Sequence, residues 1–211
     1  AQERVLGTAP DLLPLTESAN IRTANALTTD WAEVLGVAPG EQTPNVWIVG
    51  NPPFVGMTWQ TPEQRVDIRH VWAGVVGAGN LDFVSCWFLL AAKYIHEHGG
   101  QAALVATSSV SQGTQPPTIW GELYRLGMVI DFAHRAFKWQ NDAPGVAAVH
   151  TVIIAFSRGI PGKKRLFDYP DVKGQPLEYE VENINAYLLA APNVLIKART
   201  RPLVDGLPLM D

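Results

Sequence analysis

The sequence predicts an α/β fold built on a mostly parallel sheet. Three observations carry that expectation. Short apolar runs of strand length (Val46-Trp47-Ile48-Val49, Ala102–Ala106, Met128–His134 and Val149–Ser157) are separated by stretches of helical periodicity. The first run stops at Gly50 and enters Asn51-Pro52-Pro53-Phe54, a rigid turn at the carboxyl end of a strand, where open α/β sheets bind ligands. The chain has 211 residues, 47% apolar and 17% charged, enough for one substantial core.

Residues 1–20 have prolines at 10 and 14 and little periodicity, and read as a loop or the tail of something upstream. Ile21–Leu27 is compatible with a short strand, and Thr28-Thr29-Asp30 caps a helical turn over Trp31–Leu35. A loop leads to the central, buried strand at Val46–Val49. Glu63–Trp72 follows as a helix. Gly74, Gly77 and Gly79 do not have dinucleotide-loop spacing and no strand precedes them, so they read as a flexible loop. Leu81–His98 is the clearest helix, with Phe83, Trp87, Leu90, Ala91 and Tyr94 at helical spacing, Asp82 near its N-terminus and Gly99-Gly100 as its stop. Thr107–Gln115 is a polar loop, and Pro117 opens a helix to Leu126 that Gly127 ends. The link Arg135–Ala148 is long for a hairpin, and such loops are often functional. Past Gly159, Lys163-Lys164-Arg165 reads as a solvated turn, residues 183–190 as a short helix, and 197–211 as a linker.

Each proline of the Asn-Pro-Pro-Phe turn fixes its own φ and holds the preceding residue extended, so Asn51 has little freedom. The Asn51 side-chain carbonyl and the Pro52 main-chain carbonyl are two acceptors, a set suited to the two N–H donors of an exocyclic amine. Phe54 adds a face on which a planar heterocycle can stack. The plain alternative is an ordinary turn.

Composition narrows the function classes. A net charge of −4 gives no basic footprint for nucleic acid. The lone Cys86 excludes an internal disulfide and a cysteine-based zinc site, reads as a packing residue, and fits a reducing, cytoplasmic setting; no metal is expected. No membrane span, leader or repeat is visible.

Taken together, NIRTANALTTDW, VWIVGNPPFVG, GAGNLDFVSCWFLLAAKYI, AALVATSSVSQG and FAHRAFKWQNDAPGVAAVHTVIIAF resemble a DNA adenine-N6 methyltransferase, nearest to the MmeI-like restriction–modification enzymes. The resemblance spans roughly residues 13–205, and GNPPFVG and FAHRAFKW are its most specific blocks. It implies a Rossmann-like class I methyltransferase core, with an antiparallel last strand and the first strands missing. It also implies S-adenosylmethionine as cofactor and double-stranded DNA with a flipped adenine as partner. In that family Asn51, Pro52, Pro53 and Phe54 form the catalytic turn, with Asn51 and the Pro52 carbonyl accepting from adenine N6 and Phe54 stacking on the base. Phe137 matches the second aromatic of the base pocket, with Trp139 close by. Asn25, Ala26 and Leu27 match the segment near the cofactor's adenine, where the family commonly has an acidic residue in place of Asn25. Asn51 and Asp82 would also border the cofactor.

Each role has an alternative. Phe137 and Trp139 fit a core, Asn25 fits a turn, and His134 and His150 fit structural roles. The family's glycine-rich cofactor motif is absent. Residues 1–160 therefore read as the C-terminal part of the catalytic core, and 161–211 as a peripheral segment and linker towards an absent target-recognition region. A protein-glutamine methyltransferase is a competing reading, although that family favours Asn-Pro-Pro-Tyr and lacks the FAHRAFKW block. A non-catalytic fragment without cofactor binding is another. Without a first strand beside the Asn-Pro-Pro-Phe strand, self-association through the exposed sheet edge is expected.

Overall fold

A computed structural model of the chain describes residues 21–139, 149–159, 162–171 and 174–197. Six strands form one sheet: β1 (Trp47–Gly50), β2 (Gln101–Thr107), β3 (Val129–Trp139), β4 (Val149–Ser157), β5 (Lys164–Asp168) and β6 (Leu177–Val181). Their spatial order is β1-β2-β4-β3-β5-β6. β1 is parallel to β2 and β3 is parallel to β5, while β4 is antiparallel to both β2 and β3, and β6 to β5. Four strands thus point one way and two the other. The α/β expectation holds, with the antiparallel β4 wedged between β2 and β3.

The helices are α1 (Trp31–Leu35), α2 (Pro62–Val71), α3 (Ser85–His98) and α4 (Pro116–Arg125). Asp30 caps α1 by accepting from the amides of Ala32 and Glu33. Thr61 and Gln64 form a capping box at α2, whose first residue is a proline. The core lies between the sheet and α3 and α4. Ala102, Leu104 and Ala106 of β2 and Val152, Ile154 and Phe156 of β4 are all buried. Phe88 stacks on Phe156 at 5.7 Å, and Trp120 meets the same ring edge-on at 6.3 Å. Cys86 is buried in this layer, where desolvation first and the charge of Asp67 second push its thiol up to about 12. It is a packing residue.

Several expectations change. Ile21–Leu27 is not a strand: the Asn25 carbonyls capture the amides of Leu27, Thr28 and Thr29 into a turn. β1 is an edge strand of the described sheet, not a central buried one, with Trp47 58% and Val49 70% exposed. α3 begins at Ser85, so Asp82 precedes it rather than lying in its first turn. β3 runs on to Trp139, taking in the first third of the expected long link; residues 140–148 lie outside the described residues. Lys164-Arg165 belong to β5, not to a turn, because the Lys164 ammonium donates to the Ile130 carbonyl and Arg165 lies over two aromatic rings. Residues 183–190 form turns, since Asn185 Oδ1 takes the amides of Tyr187 and Leu189. The expected linker is described only at residue 197.

Candidate active site

β1 ends at Gly50, and the turn that follows sits on the carboxyl rim of the sheet. Asn51 is exposed and Pro52 buried, so the first proline anchors the turn while the amide before it faces solvent. Phe54 is half-buried and packs against the core. The next residues are bonded to the segment leading into α3: the Phe83 amide donates to the Val55 carbonyl at 2.9 Å, and the Gln60 side chain donates to the Leu81 carbonyl at 2.9 Å. The turn is therefore held at both ends, by strand pairing before it and by this bracket after it.

Asp82 forms the hub of the bracket. Its carboxylate accepts from Ser109 Oγ at 2.5 Å and Thr107 Oγ1 at 3.5 Å, and its amide donates to Gln115 Oε1 at 3.0 Å. Its other oxygen would lie 3.6 Å from a β-carbon built on Gly56. Asp82 thus links the Asn-Pro-Pro-Phe loop to the loop that leaves β2, where Thr107 is the last strand residue.

Two clefts of about 340 Å³ each adjoin β1. One contains Arg22, Ala24, Ala26, Trp47 and Ile48, and the other Asn51, Pro52, Pro53, Trp87 and Leu104. Trp31 and Ile48 line both. The Trp31 indole N–H donates to the Ala26 carbonyl at 2.8 Å, fixing the 25–29 turn against the ring that divides the clefts. Leu27 is buried in the core. The Asn25 side chain is engaged locally: its carbonyl takes the Leu27 amide at 3.0 Å and its NH₂ reaches both Asp67 oxygens at 3.3 Å.

Phe137 is half-buried on β3. It pairs with Thr151 of β4, which pairs on its other side with Thr107, so Phe137 and Thr107 share one row across the sheet. β3 is three strands from β1, about 14 Å at the usual strand spacing. The carboxyl rim of the sheet thus carries Asn51, Phe54, Asp82 and Phe137; Ala26 lines the first cleft on the other side of Trp31, while neither Asn25 nor Leu27 lines either cleft. The side chain of Trp139 lies outside the described residues. His150 is exposed opposite Lys138, and His134 is engaged with Tyr169. Among the described residues no group of three or more His, Cys, Asp or Glu side chains could hold a metal ion, and no helix is long and apolar enough to cross a membrane.

A family profile described as the MmeI DNA-methyltransferase domain matches residues 1–168. The chain belongs to this family. DNA methyltransferase A of Bacillus subtilis (strain 168) is 36% identical to it over 193 residues, 92% of this chain and 21% of that protein. The solved structure of the Type IIL restriction-modification enzyme MmeI in complex with DNA aligns with a TM-score of 0.82 at 38% identity, over 96% of this chain and 27% of that one. The MmeI-type segment described here therefore spans about a fifth to a quarter of those relatives.

Two features of this MmeI-type site were not visible as site features in the sequence. Trp31 read only as a helical residue, although a tryptophan directly after the Asp30 cap, six residues past Asn25, could have marked a ring folding back on that turn. Thr107 and Ser109 read only as part of a polar loop, and nothing local signals their bonds to Asp82.

Proposed function

We propose that this chain is the catalytic segment of a larger restriction–modification enzyme that methylates adenine N6 in duplex DNA, with S-adenosylmethionine as donor, in the cytoplasm. The observation that carries the reading is the exposed Asn51 amide, held on the sheet's carboxyl rim by a buried Pro52 and braced from behind by Val55 and Phe83. N6 is engaged in pairing inside a duplex, so the adenine must be extruded to reach this rim. The Asn51 and Pro52 carbonyls accept its two N–H groups and orient the nitrogen lone pair. Phe54 and Phe137 enclose the base plane.

The clefts beside β1 suit a ligand with an apolar ring at one end and polar groups at the other. Ala26, Trp31 and Ile48 supply apolar walls, and the second cleft opens at Asn51. When bound there, S-adenosylmethionine supplies a methyl group on a positively charged sulfur. Asn25 holds the shape of the wall through its turn, and Asp82 acts on the same side by bracing the loop. The glycine-rich cofactor motif and the DNA-reading region belong, in this proposal, to other parts of the polypeptide. Residues 1–160 complete the catalytic core, 161–211 lead towards the reading region, and the segment alone is inactive.

The test is methylation of plasmid DNA by a polypeptide carrying this chain and its flanks, with nucleoside mass spectrometry as readout. N6-methyladenine that depends on S-adenosylmethionine supports the reading. N4-methylcytosine alone, or methyl transfer only to a glutamine-containing peptide, overturns it.

A further inference from the structure

The outer part of the sheet carries an aromatic ladder that ends at Phe137. β3 and β5 place Phe132 opposite Arg165 and His134 opposite Phe167. The Arg165 guanidinium lies 5.8 Å from the Phe132 ring centre and 5.7 Å from that of Phe167. His134 stacks flat on Phe167, with 4.2 Å between ring centres and 4° between planes. Strict alternation would bring Ala136 to this face next. The register of β3 against β4 slips instead: His134 faces Ile153 and Phe137 faces Thr151, so β3 has one residue more than its partner. Such a bulge re-aims the side chains beyond it. Here it sets Phe137 beside the ladder, 6.4 Å from the His134 ring.

Tyr169, just past β5, closes the ladder. Its ring centre is 5.0 Å from that of Phe137, at 30°, and its hydroxyl is 2.7 Å from His134 Nδ1. Beside it, Asp168 pairs with Arg135 at 3.0 Å through one oxygen and takes the Tyr169 amide at 3.0 Å through the other. The two consecutive residues at the bulge, His134 and Arg135, are thus each tied to one of two consecutive residues at the end of β5, Tyr169 just past it and Asp168 its last. A bulge disrupts the main-chain ladder locally, so side-chain ties gain weight in fixing its geometry.

We propose that Tyr169 is a positioning residue: tethered by His134, it packs on Phe137 and fixes that ring as a wall of the base pocket. The proposal rests on the reading of Phe137 as a base-stacking residue. The Tyr169 hydroxyl is committed to His134, so Tyr169 acts on Phe137 through its ring.

The experiment uses the polypeptide with its flanks. It measures single-turnover methylation of the site found with plasmid DNA, together with base extrusion on a duplex carrying 2-aminopurine at that site. Asn51→Ala and Phe137→Ala come first, and wild-type rates in both would defeat the parent reading whatever Tyr169 does. Tyr169→Ala should lower the rate about tenfold, the scale of one aromatic pair, with a weaker extrusion signal. Tyr169→Phe and His134→Phe each keep a ring and remove one end of the hydrogen bond. Each should cost about threefold, and the double variant no more than either single one. In a Phe137→Ala background Tyr169→Ala should cost nothing further, because it acts through that ring. A wild-type rate for Tyr169→Ala, or a full additional loss in that background, overturns the proposal. If Tyr169→Ala does not fold, the Tyr169→Phe and His134→Phe cycle decides, and additive losses there overturn it.

Discussion

A β-carbon on Gly100 would lie 2.7 Å from the carbonyl oxygen of Val46. That carbonyl accepts the Gln101 amide at 3.0 Å, just before Trp47 and Gln101 begin the β1–β2 register. The close approach therefore sets where β1 starts against β2, and through it where Asn51 emerges four residues after Trp47. Gly100 has φ 94°, a region unfavourable for side chains. Gly100→Ala should combine backbone strain with the clash and destabilise the fold by about 3 kcal/mol. Gly40, at φ 77° with nothing near its missing β-carbon, is the control. Gly40→Ala should cost about 1 kcal/mol. Urea midpoints at unchanged slope measure both, and equal shifts would remove the close contact as a determinant of register.

The exposed edge of β1 has a solution consequence. Trp47 and Val49 present apolar surface beside main-chain groups that no described strand pairs on that side. Such an edge templates pairing with another chain. The isolated 211-residue chain is expected to self-associate as concentration rises. Val49→Lys should suppress this, since a charged side chain on an edge strand resists docking of a second strand. Light scattering over a dilution series distinguishes the two proteins. A concentration-independent monomer for the unmodified chain removes the basis of the prediction.

The burial of His134 gives stability a pH dependence whose sign follows from the direction of its shift. Burial first, and Arg165 second, lower the His134 pKa below its ordinary 6.5, with Glu178 opposing. A lowered value in the folded state means that the unfolded chain takes up the proton first as pH falls. The contribution is complete above about pH 6.5 and is lost as pH falls through the lowered folded value. His134→Phe should remove this component, so the difference between wild type and variant should narrow from about pH 8 to about pH 5. Urea unfolding of both proteins at the two pH values measures it. A difference that widens on acidification would reverse the sign and exclude a neutral His134.

What could be read from the chain alone follows from how local the determinants are. The Asn-Pro-Pro-Phe turn was legible because prolines restrict the backbone whatever surrounds them. α3 and β4 were legible because long apolar stretches with one period leave little choice. β5 was not, because only Leu166 of its five residues is buried, and its cations are held by a carbonyl and a ring of β3 together with the ring of its own Phe167. The 21–27 stretch misled for the opposite reason. Its composition allows a strand, but the single side chain of Asn25 takes up the amide that a ladder would need. Near the proposed site, the FAHRAFKW block singled out Phe137, which the fold places half-buried on β3. The ring that packs on it was not legible, since Tyr169 is brought there by a bulge and a bond spanning 35 residues.

The Asn-Pro-Pro-Phe turn makes the sharpest prediction, because its residues differ in burial. Asn51 is exposed, so Asn51→Ala should leave the unfolding midpoint unchanged. In the polypeptide with its flanks it should also leave DNA affinity largely intact, since affinity comes mostly from phosphate contacts made elsewhere. Methyl transfer should nonetheless fall more than about a hundredfold, because a lost hydrogen bond at the reacting nitrogen raises the barrier by about 3 kcal/mol. Phe54 is half-buried against the core, so Phe54→Ala should lower both stability and rate. Its stacking loss is worth about 1–3 kcal/mol, and base extrusion should weaken with it. Phe54→Trp retains a stacking face and should keep much of the activity. Single-turnover methylation, read beside 2-aminopurine fluorescence and urea unfolding, separates the two residues. If Asn51→Ala methylates at the wild-type rate while Phe54→Ala merely unfolds more easily, the turn is a structural corner and the chemistry lies elsewhere.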